Sequence, residues 1–550
     1  MNTGITADLV VIGGGTAGIV AAKTAASFGS KVVLVERDRT GGDCLWTGCV
    51  PSKALIAAAA AATAIRRGSG FGIRAADVTV DFSQVMQHVR GAITTIAPVD
   101  SPETLTAAGV TVIEGAARFT GPRGVTIGEH RISFAQAVLA TGAAPTVPPL
   151  PGLAAVDYLT SETIWDLTEL PRRLLVLGGG SVGCELAQAF ARLGSQVTIV
   201  ESAQTLVPRE DPAAAAALTA AMISDGVDVR TAATGASITE GTLTLVDGRD
   251  IRFDRVLIAV GRTPRTNSIG LDAAGVAVDE RGYVDVDAQL RTSNPRIWAA
   301  GDLTGHPQFT HTAGMHGSLA ATNAILGLRR TVAQTGEPRV TFTDPEIAVV
   351  GIDPRTARRI PGLSVQTLAH THLDRAIAEA DTGGLTQLVL DRKHRIVGAS
   401  IVGPRAGETI GEMVLAVNQG LRTRTLAGAT HPYPTYNDGP WNASIADVRS
   451  ASTVFRAIEN RVAMVKADVA WDSVLVAPNG RMLTRTAIPS ERGGQALLVG
   501  DVPLGPVNAP FTLYGNTPFQ WLVYAATLVM IGAAASSWRR RVTAGKRTAT

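Results

Sequence analysis

The residues best suited to do chemistry are two cysteines in the stretch Gly41-Gly42-Asp43-Cys44-Leu45-Trp46-Thr47-Gly48-Cys49-Val50-Pro51-Ser52-Lys53. Separated by a four-residue spacer, Cys44 and Cys49 can close a small ring and alternate between dithiol and disulfide, which is two-electron chemistry. A zinc site would need two further ligands and no third cysteine lies nearby, so no metal site is expected. Inert packed thiols are the other alternative. The third cysteine, Cys184, follows a glycine-rich turn on a helical pattern and reads as structural.

The elements that must position this pair are legible on both sides of it. Upstream, the apolar run to Ile12 enters Gly13-Gly14-Gly15-Thr16-Ala17-Gly18, an Ala-rich helix pattern follows, and a second apolar strand, Val32-Val33-Leu34-Val35, ends in Glu36. This order of strand, glycine turn, helix, strand and acid suits a dinucleotide. Gly13 permits the tight turn, Gly15 lets a pyrophosphate approach the backbone, Gly18 permits close helix packing, and Glu36 accepts from a ribose hydroxyl. Downstream the pattern recurs. Leu174-Leu175-Val176-Leu177 leads into Gly178, Gly180 and Gly183, then a helix, then Val197-Thr198-Ile199-Val200 and Glu201. Two dinucleotide sites in one chain suggest hydride transfer from a nicotinamide to a flavin.

Composition narrows the class further. The 550 residues, 45% hydrophobic and 18% charged, imply three or four domains and exclude disorder and coiled coil. The last hundred residues hold 11 of the 50 basic side chains and 5 of the 47 acidic ones, leaving the body slightly acidic. Without a basic cluster there, nucleic acid is excluded as a partner. Three cysteines and an N-terminus without a signal peptide point to the cytoplasm.

These motifs, with Ala140-Thr141-Gly142, Gly261-Arg262-Thr263-Pro264 and Ile297-Trp298-Ala299-Ala300-Gly301-Asp302, resemble the class I pyridine nucleotide-disulfide oxidoreductases from residue 8 to about 448. The resemblance implies an α/β fold with two Rossmann-like dinucleotide-binding domains. FAD would occupy 1–155 with 275–335, NAD(P)H 156–274, and an α/β dimerisation domain would span 336–450 and form a homodimer. It also implies FAD on the first glycine unit with Asp302 at its ribityl chain, and nicotinamide on the second. Thr141, Gly142 and Gly261 join the cofactor-binding set. Cys49 becomes the thiol against the flavin, Cys44 the thiol facing substrate, and Lys53 with Glu185 the pair beside the flavin N5. Glu201 favours NADH, since a carboxylate repels a 2′-phosphate; Arg209 offsets that, so NADPH stays possible.

One stretch departs from the disulfide-reducing members, which carry His-Pro-Thr followed by an acid. Aligning His431-Pro432-Tyr433-Pro434-Thr435-Tyr436-Asn437-Asp438 on Pro-Thr puts Tyr433 in the histidine's place and Asp438 in the acid's. A phenol is a poor general base at neutral pH, which disfavours lipoamide or glutathione disulfide; His431 reads as a satisfied loop histidine, with a substitute base as the lesser alternative. Tyrosine there, and Gly305-His306-Pro307-Gln308-Phe309-Thr310, resemble mercuric reductases, although the C-terminal cysteine pair of those enzymes has no counterpart. The expected activity is therefore electron transfer from NAD(P)H through FAD to Cys44–Cys49 and on to a metal or sulfur acceptor, most like mercuric reductase. A dihydrolipoyl dehydrogenase-like or other disulfide reductase is the alternative.

Beyond residue 450 the pattern changes. Segments of 451–550 resemble the end of apolipoprotein N-acyltransferases, but that fold's Glu-Lys-Cys set has no cysteine here, which makes an acyltransferase remnant a remote reading. Phe519 to Trp538 is uncharged and followed by Arg539-Arg540-Arg541, a candidate transmembrane helix that would attach the chain to the inner face of the membrane.

Overall fold

The computed structural model describes residues 4–448 except 76 and 333–335, together with the backbone of 464–466, 474–476 and 482–485. The chain forms two compact units: Met1–Val365 with Gly383–Leu421, and Gln366–Thr382 with Arg422–Thr550. The candidate span 519–538 and the acyltransferase-like segments other than those short strands lie outside the described residues.

The first unit is built around an α/β sheet in the order Val110–Glu114, Val32–Glu36, Gly4–Ile12, His130–Leu139, Gly124–Ile127, Ala117–Gly121, with Ile297–Ala299 also on His130–Leu139. The pairs that carry the first glycine turn are parallel, while the last two strands form an antiparallel flap. A parallel sheet covered on both faces needs apolar side chains at successive positions, and Leu9 to Val11 are all fully buried. The second glycine turn sits on an all-parallel sheet ordered Asp228–Arg230, Gln196–Val200, Arg173–Leu177, Arg255–Ile258, Tyr158–Thr160. A third, antiparallel sheet contains Pro338–Thr341, Glu346–Gly351, Ile396–Gly403 and Leu385–Leu390 in spatial order. These are the α/β layers that the motif order implies.

Among the described residues one stretch, Gly42–Phe71, is long and apolar enough to cross a membrane. Its apolarity has another use. Leu45, Ala54, Leu55 and Ala59 share a buried cluster with Leu186 and Phe190, so this stretch is a core element carrying both cysteines.

Candidate active site

Both glycine turns have the geometry that a bound pyrophosphate requires. At Gly13, with φ of +106°, an added Cβ would stand 2.3 Å from the Ala140 carbonyl oxygen; at Gly178, φ +109°, the corresponding distance to Ala259 is 2.4 Å. A Cβ on Gly18 would lie 1.8 Å from the Gly13 oxygen, and one on Gly183 2.0 Å from that of Gly178. Gly15 and Gly180 cap the helices Thr16–Ser27 and Ser181–Leu193 in extended conformations, and neither helix has a side-chain cap. The first-turn amides therefore remain free to donate to an anion, the arrangement a dinucleotide phosphate uses.

Each turn is tied to the acid at the end of its second strand. The Gly14 amide donates to Glu36 at 2.5 Å and the Asp38 amide at 2.9 Å. The Gly179 and Ala203 amides donate to Glu201 at 2.6 and 2.7 Å. Held this way, each carboxylate keeps lone pairs for a ribose hydroxyl. Glu36 also lines a cleft of about 520 Å³ together with Arg39, Trp46 and Glu114, which suits the nucleoside end of a bound dinucleotide. Arg262, beside the Gly261 turn, pairs with Asp43, donates to Ala143 at 2.7 Å and lies 3.4 Å from Asp302. Burial raises the Asp302 carboxyl above its usual range, and Arg262 opposes that rise. Thr141 donates its hydroxyl to Arg265 at 2.7 Å, and Gly142 holds a positive φ of +68°.

The cysteines lie on consecutive helices. Cys44 is on Gly42–Trp46, and Cys49 opens Cys49–Arg67 after the Gly48 cap. Both are free thiols with unequal acidity. The neighbouring Cys44 thiol lowers the Cys49 thiol to about 6 against the opposing effect of burial; the Thr310 hydroxyl and Lys53 add to the lowering. The same interaction, with burial, raises Cys44. Thr310 closes the stretch 305–310 but was given no role at the dithiol in the sequence; its Oγ1 is 3.2 Å from Cys49 Sγ. It begins the helix Thr310–Leu326, two hundred and more residues away, so the local pattern does not signal this contact. Lys53 Nζ forms a 2.8 Å ion pair with Glu185, whose other oxygen accepts from the Phe342 amide at 2.9 Å. Cys184 is fully buried, 3.3 Å from the Gly179 carbonyl, and desolvation pushes its thiol up to about 12, as expected of a packed structural residue.

Tyr433 and Asp438 belong to the second unit. There the Tyr433 hydroxyl donates to Asp374, and Asp438 accepts from the Thr435 amide at 3.1 Å. The register on Pro-Thr thus locates a carboxylate, but the partner of the phenol is Asp374, far away in sequence. Tyr433 is 70% exposed and Asp374 holds its phenol above the ordinary range, consistent with a poor base. His431 contacts the Ala429 carbonyl at 3.2 Å and packs near Trp441.

Two dinucleotide turns on parallel sheets, with an asymmetric thiol pair on the connecting helices, define an NAD(P)H-linked flavin oxidoreductase of the dithiol class. The chain belongs to the pyridine nucleotide-disulphide oxidoreductase family: residues 7–317 match it, and 337–444 match its dimerisation domain. It is 39% identical to a mercuric reductase of Streptomyces lividans over 78% of this chain and 93% of that protein. It is 35% identical to a dihydrolipoyl dehydrogenase of Thermus scotoductus over 80% and 97%. Among solved structures, the HOCl-induced flavoprotein disulfide reductase RclA of Escherichia coli superposes with a TM-score of 0.72 at 29% identity, covering 80% of this chain and 99% of that one. The fold is that of flavoprotein disulfide reductases, the cofactors are FAD and NAD(P)H, and the dimerisation domain makes the chain a homodimer.

Proposed function

We propose that this protein passes the electron pair of NAD(P)H to the Cys44–Cys49 disulfide and from the resulting dithiol to a soft metal ion, Hg(II) first among them. The observation that carries the reading is the unequal thiol pair. Cys49, the more acidic thiol, contacts the Thr310 hydroxyl and lies one helical turn from Lys53, and Cys44 retains its proton. Bound FAD supplies the relay from a nicotinamide hydride to a disulfide. The first glycine unit within 1–155 and 275–335 holds FAD through Gly13, Gly15, Gly18, Glu36, Thr141, Gly142 and Asp302. The second, within 156–274, holds the nicotinamide cofactor through Gly178, Gly180, Gly183, Glu201 and Gly261. Lys53, anchored by Glu185, stabilises negative charge beside the dithiol, and Cys44 is the thiol that meets the acceptor.

The acceptor assignment draws on the resemblance to mercuric reductases and on Tyr433, which cannot serve as the imidazole base of thiol exchange. Thiolates are the soft ligands that Hg(II) prefers. The reaction balances as NAD(P)H plus a bis-thiolate Hg(II) complex plus one proton, giving NAD(P)⁺, Hg(0) and two thiols. A cytoplasmic location matches the nicotinamide supply and the small number of cysteines. The deciding experiment is anaerobic NADH oxidation by the FAD-loaded dimer with Hg(II)–thiol complexes, lipoamide and glutathione disulfide supplied separately. Faster turnover with either disulfide than with Hg(II) would replace the metal reading by the disulfide-reductase reading.

A further inference from the structure

The Lys53–Glu185 ion pair is assembled from two helices, but a third segment touches both partners. Phe342 follows the strand Pro338–Thr341. Its peptide N–H donates to Glu185 at 2.9 Å, and its ring centroid lies 4.2 Å from Lys53 Nζ. We infer that Phe342 is a positioning residue for this pair: its ring face fixes the Lys53 ammonium beside Cys49 while its backbone fixes the Glu185 carboxylate. The inference rests on the role proposed above for Lys53 next to the dithiol.

The segment that carries Phe342 is held in one register. Along the helix Ser181–Leu193, the residues Ser181, Glu185, Gln188 and Arg192 follow one another at steps of four, three and four, which places them on a single stripe. The chain from Thr341 to Asp344 runs along that stripe, bond by bond. Thr341 meets the Ser181 hydroxyl at 2.9 Å, Phe342 meets Glu185, and the Asp344 amide and carbonyl each bond Gln188 at 2.7 Å. The Asp344 carboxylate then pairs with Arg192 at 2.6 Å. Arg192 is itself buried against Asp225 at 2.7 Å, and Arg67, on the same helix as Lys53, reaches Asp225 at 3.3 Å and Asp344 at 3.1 Å. Both helices and the Phe342 segment are therefore tied together at the far end, so Phe342 cannot slide relative to Lys53.

The ring is the part that backbone bonds cannot replace. The Lys53 side chain is 37% exposed, and a lysine ammonium on a flexible stem samples solvent unless something holds it. A cation over an aromatic face is attracted by the ring quadrupole and needs no directional hydrogen bond. Facing Cys49 are Cys44, Thr310, Lys53 and Glu185, and Lys53 is the cation among them.

The test uses the reduced, FAD-loaded protein and follows Cys49 alkylation by iodoacetamide against pH, site-resolved by mass spectrometry. Phe342→Leu and Phe342→Met keep the peptide N–H and remove the π face. Either should raise the midpoint by about half a pH unit, roughly threefold in the thiolate ratio. Phe342→Tyr, which keeps the face, should titrate like the wild type. With Lys53→Met in place, Phe342→Leu should add no further shift. An unchanged midpoint in a Leu or Met variant that retains FAD would overturn the inference, as would an equal shift with and without Lys53. Should Lys53→Met alone leave the midpoint unmoved, the proposed role of Lys53 fails first and the inference with it.

Discussion

Cys49 is acidic because a neighbouring thiol, a hydroxyl and an ammonium all stabilise its anion more than burial disfavours it. A group whose folded pKa is lowered loses its charge as pH falls through that value. Two-electron reduction of the FAD-loaded protein should therefore give a long-wavelength absorption band that fades as pH falls through about 6 and is absent in Cys49→Ser. Ordinary bleaching without such a band in the wild type would remove Cys49 from its assigned place. Glu201, held by two amides where a 2′-hydroxyl would arrive, should favour NADH; a tenfold higher kcat/KM with NADPH would contradict that. At Tyr433 the prediction concerns a missing imidazole. Tyr433→His should raise dihydrolipoamide turnover by about tenfold or more, within the range of general-base catalysis, and adding Asp374→Ala should cancel the gain. Cancellation by Asp438→Ala alone would return the orienting role to Asp438.

At the scale of elements, the two glycine units can be broken separately. A Cβ at Gly183 would be forced to 2.0 Å from the Gly178 oxygen, spreading helix from strand in the second unit alone. Gly183→Ala should retain FAD but weaken NADH binding by about tenfold or more, since even ångström-scale misplacement of binding groups is costly. Gly18→Ala, at 1.8 Å from the Gly13 oxygen, should lose FAD on purification. FAD loss from the Gly183 variant, read by flavin absorbance, would reverse the assignment of the two units. Both units could be read in the sequence because a glycine turn followed by helix, strand and acid is a local pattern. Thr310, Phe342 and Asp374 could not. Each contacts its partner across a long stretch of chain, and a Thr or Asp at the start of a helix carries no local mark of which remote side chain it will meet.

For the whole molecule, every motif of the site lies upstream of residue 450, and the family match ends at 444. A chain truncated after Ser450 should keep its FAD content, dimer size and NADH oxidation, measured by flavin absorbance, sizing and turnover. Loss of FAD or precipitation would make 451–550 part of the folded core. The sequence by itself determined the fold class, the two dinucleotide turns and the cysteine pair, because each is set by residue types a few positions apart acting through backbone sterics and periodic burial. Only the tertiary structure decided that Thr310 stands at Cys49, that Phe342 joins Lys53 to Glu185, and that Asp374 rather than Asp438 takes the Tyr433 hydroxyl. Those contacts close loops of many residues, and they exist only once sheets and helices have packed and fixed the distances between remote side chains.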